Sequence, residues 1–346
     1  MARLLVTGGA GFIGTHFVRY WLDAHPEDRL VVLDALTYAG NLANLDCIKS
    51  RPQFRFVQGD IGDTTLVENL LRGESLDTLV HFAAESHVDR SIEGPDAFIQ
   101  TNVVGTHSLL KAARRVWLDE RARMAHRFHH VSTDEVYGSL PSADPPFSET
   151  APYAPNSPYA ASKAASDHWV RAYHHTYGLS TTISNCSNNY GPYQYPEKLM
   201  ALAITNILGG KPIPVYGDGR NIRDWLFVSD HCHGIDLILK RGVPGEVYNL
   251  GGCCEVENIV LLRQLCQIAD EVFASKAELS TRFPNSPAAH AKASESLLIL
   301  VPDRLGHDRR YAVDIAKAAA QLGFAPRTPL TDGLRQTFEW YADRAH

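Results

Sequence analysis

Val6-Thr7-Gly8-Gly9-Ala10-Gly11-Phe12-Ile13-Gly14 is the stretch that decides the fold. Residues 4–6 before it are a short apolar run that reads as a strand, and the residues from Phe12 to about Ala24 carry a helical pattern. Between them each glycine has a task. Gly9 permits a tight turn, Gly11 lets the backbone approach a pyrophosphate, and Gly14 lets the helix pack closely on the strand, its N-terminus facing the negative charge. Asp34 lies 20 residues beyond Gly14 at the end of a second apolar run. A carboxylate there accepts hydrogen bonds from an adenosine ribose diol and repels a 2′-phosphate. With no Arg among Ala35-Leu36-Thr37-Tyr38, the stretch predicts NAD rather than NADP.

Outward from this loop the pattern repeats. Residues 30–33, 54–57, 78–82, 128–132 and 181–185 read as short apolar strands. Residues 64–71, 98–117 and a segment beginning at Pro158 read as helices. Repeated βα alternation predicts an α/β protein with a Rossmann-type, doubly wound parallel sheet covered on both faces. From Asn188 the pattern turns irregular, with a helix near 198–208. A helix at 230–240 and a strand at 246–250 then look like a return to the sheet. This places a dinucleotide-binding domain at 1–187 plus about 225–250, and a smaller C-terminal substrate-binding lobe at about 188–224 and 251–346. Residues 274–296, rich in Ala and Ser, read as a loop or frayed helix.

The bulk composition narrows the function. The chain has 346 residues, 45% hydrophobic and 21% charged, enough for a large core. The net charge of -6, with no basic block interleaved with aromatics, argues against a nucleic-acid partner. No apolar stretch approaches the ~20 residues of a membrane helix. The N-terminus reads directly into a strand without a secretory pattern, so a cytoplasmic chain is expected. Six cysteines show no disulfide framework and are expected to be reduced and mostly buried.

Asp60-Ile61 closes the third strand and is placed to face the adenine edge. Phe82-Ala83-Ala84 closes the fourth, its small residues letting a cofactor lie close to the backbone. Tyr159 and Lys163 are at i and i+4, on one helix face. Ser157-Pro158 before them looks like an N-cap followed by proline at N1, which puts Tyr159 in the first turn. The helix dipole and the Lys163 ammonium are expected to lower the Tyr159 pKa, so that it removes a hydroxyl proton while hydride leaves the same carbon. Thr133-Asp134-Glu135 ends an apolar run. Successive residues of a strand point to opposite faces, so both carboxylates can address one substrate only if the chain is leaving the strand there. Adjacent carboxylates split their pKa values, one staying protonated as an acid and one ionised as a base. Simple dehydrogenation needs no such pair.

On the glycine loop with Asp34, the Tyr159/Lys163 pair and the interrupted second half, the chain resembles the extended short-chain dehydrogenase/reductases. Three further segments sharpen this, Glu85-Ser86-His87-Val88-Asp89-Arg90-Ser91, Asn188-Asn189-Tyr190-Gly191-Pro192 through Leu199, and Asp303-Arg304-Leu305-Gly306-His307-Asp308. With Thr133-Asp134-Glu135-Val136-Tyr137-Gly138 they are similar to the dTDP-glucose 4,6-dehydratases, nearly end to end. The chain departs from that pattern at Pro302 and Leu305, where the family usually has Lys and Pro, and at Cys253-Cys254.

The resemblance implies a homodimer, tightly held NAD and a nucleotide sugar in the second lobe, dTDP-glucose foremost. It implies that Gly8, Ser86, Thr101 and Asn189 join the residues above at the cofactor. It assigns Ser86, His87, Asn188, Glu197, Lys198, Leu199, Pro214, Val215, Tyr216, Arg223, Asn258, Asp303, Arg304 and His307 to the substrate, with Arg223 meeting phosphate and Thr133 touching the glucose. The implied activity is oxidation at C4, elimination of water across C5 and C6, and return of hydride to C6, a hydro-lyase reaction. A nucleotide-sugar 4-epimerase of the same fold is the alternative, which would not need Asp134 and Glu135. A non-catalytic NAD-responsive binding protein is a remoter one. His126, His129, His130, His174 and His175 lack a convincing third ligand, so no metal is expected.

Overall fold

In β1 (Arg3–Thr7) the side chains of Leu4 and Val6 enter one core while Leu5 enters another. β2 (Arg29–Asp34) divides Leu30 and Val32 from Val31 and Leu33 in the same way. Period-two alternation with both sets apolar belongs to a sheet buried on both faces, where crossover helices supply the covers. The computed structural model describes residues 1–120 and 124–344.

The chain continues from α1 (Phe12–Ala24) through β2 to β3 (Phe54–Gln58), α2 (Thr64–Gly73) and β4 (Thr78–His81). After α3 (Val88–Glu93), α4 (Asp96–Phe98) widens into a π-helical run at Ile99–Gly105 and tightens again as α5 (Thr106–Arg114). The helix expected at 98–117 is therefore interrupted. Its widened turn carries Asn102, whose amide donates to Glu85 O at 2.9 Å and to Ser162 Oγ at 2.8 Å, bonds that tie the turn to the chain after β4 and to the helix that begins at Pro158. β5 (Arg127–Thr133), α6 (Pro158–Tyr177) and β6 (Thr181–Cys186) complete the first half.

β7 (Asn188–Tyr190), α7 (Leu199–Gly209), β8 (Ile213–Tyr216) and β9 (Ile222–Phe227) lead away from the sheet, and α8 (Val228–Arg241) and β10 (Val247–Leu250) return to it. The main sheet has seven parallel strands in the order β10-β6-β5-β4-β1-β2-β3. α8 packs on α1, and its Ile235 and Ile238 share a core with Val18 and Val32.

The second lobe is built from β11 (Glu255–Glu257), α9 (Asn258–Ser275), α10 (Glu278–Arg282), β12 (Leu298–Val301), α11 (Ala316–Leu322) and α12 (Leu330–Arg344). β9 sits between β7 and β11, and β12 pairs with β8. α7, α9 and α12 enclose its own core, which includes Ile204, Leu265 and Phe338, while α11 packs on β10 and the core of the main sheet.

Residues 274–296 are more regular than the loop or frayed helix expected. α10 anchors Leu279 in the second core, and a 3₁₀ turn at Ser294–Leu297 is held where Ser294 Oγ donates to Asp270 at 2.6 Å. Both anchors are long-range, so no local periodicity announces them. All six cysteines are free. Cys186, Cys232 and Cys266 are buried, but Cys47 and Cys253 are exposed and Cys254 is intermediate, so burial holds for only half. Among the described residues no helix is long and apolar enough to cross a membrane.

Candidate active site

The strand order reverses between β1 and β4, and a cavity of about 320 Å³ opens at the carboxyl ends of the strands there, the place where open α/β sheets hold ligands. Gly8, Gly11, Phe12, Ile13 and Gly14 line it with Asp34, Ala35 and Thr37, and so do Asp60, Ile61, Phe82, Ala83, Ala84, Ser86 and Thr101. The left-handed turn falls at Gly8, with φ +72°, rather than at Gly9. A Cβ on Gly14 would lie 2.1 Å from Gly8 O, so this helix can meet the turn only through glycine.

Three observations fit a dinucleotide. Gly11 caps α1 without a side-chain hydrogen bond, so no side chain competes for the first-turn N–H groups. The nearest atom to a Cβ on Gly11 is Gly8 O at 3.3 Å, which leaves the cavity side of the loop bare. Asp34 sits at the end of β2, taking Ala10 N–H at 2.9 Å and Leu36 N–H at 2.8 Å. Burial raises its carboxyl pKa, and those two backbone bonds oppose the rise. Leu36 serves Asp34 through its backbone, at φ +53°, while its side chain packs on the core and does not line the cavity.

β5 ends at Thr133, and Asp134–Tyr137 is a 3₁₀ turn. The chain thus leaves the strand between the two carboxylates' predecessors and the carboxylates themselves, and Thr133, Asp134 and Glu135 all line the same cavity as Tyr159 and Lys163. Asp134 is 2% exposed, and its Oδ2 has no hydrogen-bond partner among the described residues. Burial, then Glu135 and Asp224, hold its pKa well above the usual carboxylate range. Burial raises Glu135 as well, but Lys198 and Arg223 oppose the rise by favouring its ionised form.

Ser157 Oγ accepts from Ala160 N at 3.1 Å and Pro158 opens α6, which puts Tyr159 in the first turn. The expected depression of the Tyr159 pKa is not found. Burial and then the charge of Glu135 push the phenol well above its ordinary value, against a hydrogen bond from Thr133. The helix terminus and Lys163 are outweighed by loss of solvent. Lys163 Nζ donates to Val131 O at 2.8 Å, and burial lowers its pKa to about 8.

A second cavity of about 180 Å³ shares Glu135, Asn188, Asn189, Glu197 and Lys198 with the first. His87, Leu199, Pro214, Tyr216, Arg223, Asn258, Arg304 and His307 line it. Arg223 donates to Asp308 O at 2.9 Å and lies 4.3 Å from the centre of the Tyr311 ring. Arg304 reaches across to Asp89 at 2.8 Å. The buried Oδ1 atoms of Asn188 and Asn258 lack partners among the described residues, as expected of groups reserved for a ligand.

Two expected substrate residues stand elsewhere. Val215 alternates away from Pro214 and Tyr216 on β8 and is buried in the second core. Asp303 does not line the cavity and instead meets His307 Nδ1 at 2.6 Å. Residues not foreseen include Cys186, beside Thr133 in the sheet register, and Tyr311. Tyr311 lies outside every motif, so nothing in the sequence marked it. Of the histidines weighed as ligands, His129 is matched to Thr182 and Ser184 at 3.0 and 3.1 Å.

The GDP-mannose 4,6 dehydratase family model matches residues 5–337. A dTDP-glucose 4,6-dehydratase of Xanthomonas campestris pv. campestris is 54% identical, covering 99% of this chain and 93% of the relative. The dTDP-glucose 4,6-dehydratase of Streptomyces venezuelae, crystallised with NAD, superposes with a TM-score of 0.86 at 48% identity, covering 99% of this chain and 97% of that one. A UDP-glucose 4-epimerase of Thermotoga maritima is more distant at 26% identity and TM-score 0.83, covering 99% of this chain and 100% of that one. With cofactor cradle, carboxylate pair and second cavity arranged as above, the chain belongs to this family of 4,6-dehydratases, on the branch of the dTDP-glucose 4,6-dehydratases.

Proposed function

We propose that the chain converts dTDP-glucose to the 4-keto-6-deoxy sugar nucleotide, with Tyr159, Glu135 and Asp134 moving the protons. NAD held at the glycine loop supplies the acceptor of the C4 hydride and later its donor to C6. Tyr159 takes the 4-hydroxyl proton, and the cationic Lys163 favours the phenolate. The 4-ketone acidifies the hydrogen at C5, which Glu135 removes as a base. Asp134, protonated, gives its proton to the departing 6-hydroxyl so that water leaves. Hydride at C6 and a proton at C5 complete the product. Thr133 orients the hexose, while Arg223, Asn188 and Asn258 hold the nucleotide part.

The observation that carries this reading is the buried Asp134, its pKa held well above the usual carboxylate range, beside a cation-facing Glu135 in the Tyr159 cavity. A 4-epimerase has no use for that acid. Incubation with dTDP-, UDP- and CDP-glucose should give a 4-keto-6-deoxy product from the dTDP sugar at the highest kcat/KM. A C4 epimer retaining its 6-hydroxyl would overturn the reading.

The protein is further read as a cytoplasmic homodimer. Ile99, Trp169 and Tyr177 are large apolar side chains left exposed on α6 and on the helix beside it. Such neighbouring apolar surface is suited to a second copy of the chain.

A further inference from the structure

Tyr159, Lys163 and Asp167 follow one another at four-residue spacing on α6, and Asp167 is as deeply buried as Lys163, 2% against 4% exposed. The reaction assigned above makes no use of Asp167. It does not face the cavity but lies behind it, beside His130 of β5. His130 Nε2 is 3.3 Å from Lys163 Nζ and 3.2 Å from Asp167 Oδ1. Ser132 Oγ and Tyr153 OH donate to the other carboxylate oxygen at 2.9 and 3.0 Å.

We propose that Asp167, its charge acting across the edge of the His130 ring, is the positioning residue that keeps Lys163 protonated beside the active-site cavity.

The groups facing Lys163 make the argument. His81 of β4 and His130 are buried, and loss of solvent holds both well below their ordinary pKa, so they bring no charge. Cys186 of β6 is kept a thiol by burial, its pKa raised to about 12. Burial raises the pKa of the Tyr159 phenol on the same helix, so in the resting site it brings no negative charge to Lys163. It must lose its own proton before it can take that of the 4-hydroxyl. Asp134 and Glu135 line the same cavity, but the carboxylate that raises the Lys163 pKa is Asp167. Burial lowers the Lys163 pKa to about 8, and the charge of Asp167 opposes the fall. Burial raises Asp167 to about 6 against the pull of Lys163 and of the Ser132 and Tyr153 hydroxyls, so it is ionised at pH 7. A buried ammonium needs such a partner. His130 Nε2 stands 3.3 Å from the ammonium and 3.2 Å from Asp167 Oδ1, so the two charges lie one imidazole edge apart and act on each other through space in a site closed to solvent.

This inference rests on the roles proposed for Tyr159 and Lys163, and four variants separate the two readings. In NMR titrations of protein carrying ε-¹³C-lysine, the Lys163 signal should titrate near pH 8. In Asp167→Asn it should titrate about one unit or more lower, each unit being a tenfold change in the protonated fraction. C4 oxidation at pH 7 should fall on the order of 10-fold with KM little changed. Asp167→Glu should restore the wild-type profile in part. Should Asp167→Asn not fold, Tyr153→Phe with Ser132→Ala weakens the same carboxylate from outside the pair and should shift the acid limb to higher pH. An unshifted Lys163 titration in either folded variant overturns the role of Asp167. If Tyr159→Phe still oxidises C4, the proposed chemistry fails instead.

Discussion

At the residue scale the site depends on two adjacent carboxylates being kept in different protonation states. Asp134 has lost solvent and faces the negative charges of Glu135 and Asp224, whereas Glu135 faces Lys198 and Arg223. On the roles proposed above, elimination requires Glu135 ionised and Asp134 protonated. Activity is therefore lost as pH falls through the raised Glu135 pKa, and lost again as pH rises through that of Asp134. A bell-shaped kcat profile for the elimination step is expected. Asp134→Asn should leave C4 oxidation intact and slow loss of the 6-hydroxyl by roughly 10²–10⁴-fold, so that reduced nicotinamide absorbance accumulates. Glu135→Gln should suppress deuterium uptake at C5 in D₂O, while the hydrogen carried from C4 to C6 stays free of solvent label. Full dehydratase activity in both variants would refute these roles. The need for an acid and a base could be seen in the sequence as Asp134-Glu135. The resemblance also implied Asp134 as the acid and Glu135 as the base, but the charges that set them apart were not visible, because Asp224 and Lys198 reach them from β9 and from the segment before α7.

At the scale of elements, α6 is where local chemistry and function meet. Ser157 caps it through Ala160 N, and Gly178 ends it in the left-handed conformation at φ +76°. Ser157→Ala should lower the unfolding free energy by about 1 kcal/mol and, by loosening the first turn, reduce kcat for C4 oxidation more than it raises KM. Asp63→Ala provides the contrast. Asp63 caps α2 through Leu66 N at 2.9 Å and does not itself line either cavity. Urea unfolding should report a similar loss for both variants, and steady-state kinetics a defect in one. Equal kinetic defects would mean that the cap acts on global stability alone. Caps and prolines of this kind are local signals, so α6 could be located from Ser157-Pro158. The π-helical run at Ile99–Gly105 and the ordered turns at 287–297 could not, since Asn102 and Asp270 hold them by side-chain bonds to distant segments.

For the whole molecule, the parallel sheet brings the glycine turn, the β5 exit and the start of α6 to one edge, and the second lobe closes over that edge with Lys198, Arg223 and Arg304. The apolar surface on the α5–α6 side lies away from both cavities. Ile99 and Trp169 are 54% and 43% exposed, and Ile99→Asp with Trp169→Glu should convert a dimer into monomers in sedimentation velocity. A wild-type protein that sediments as a monomer at micromolar concentration would end the dimer reading.

The sequence alone determined the doubly wound sheet, the NAD preference, the two catalytic motifs and the family resemblance. Each is a short-range pattern, namely alternation along strands, glycines at a strand-to-helix turn, or side chains one helical turn apart. Tertiary structure alone decided that Tyr159 is a high-pKa phenol rather than a depressed one, that Val215 belongs to a core, and that Asp167 stands behind Lys163. Those outcomes depend on how much solvent is removed and on which charges arrive from other strands, quantities that exist only once the chain has folded.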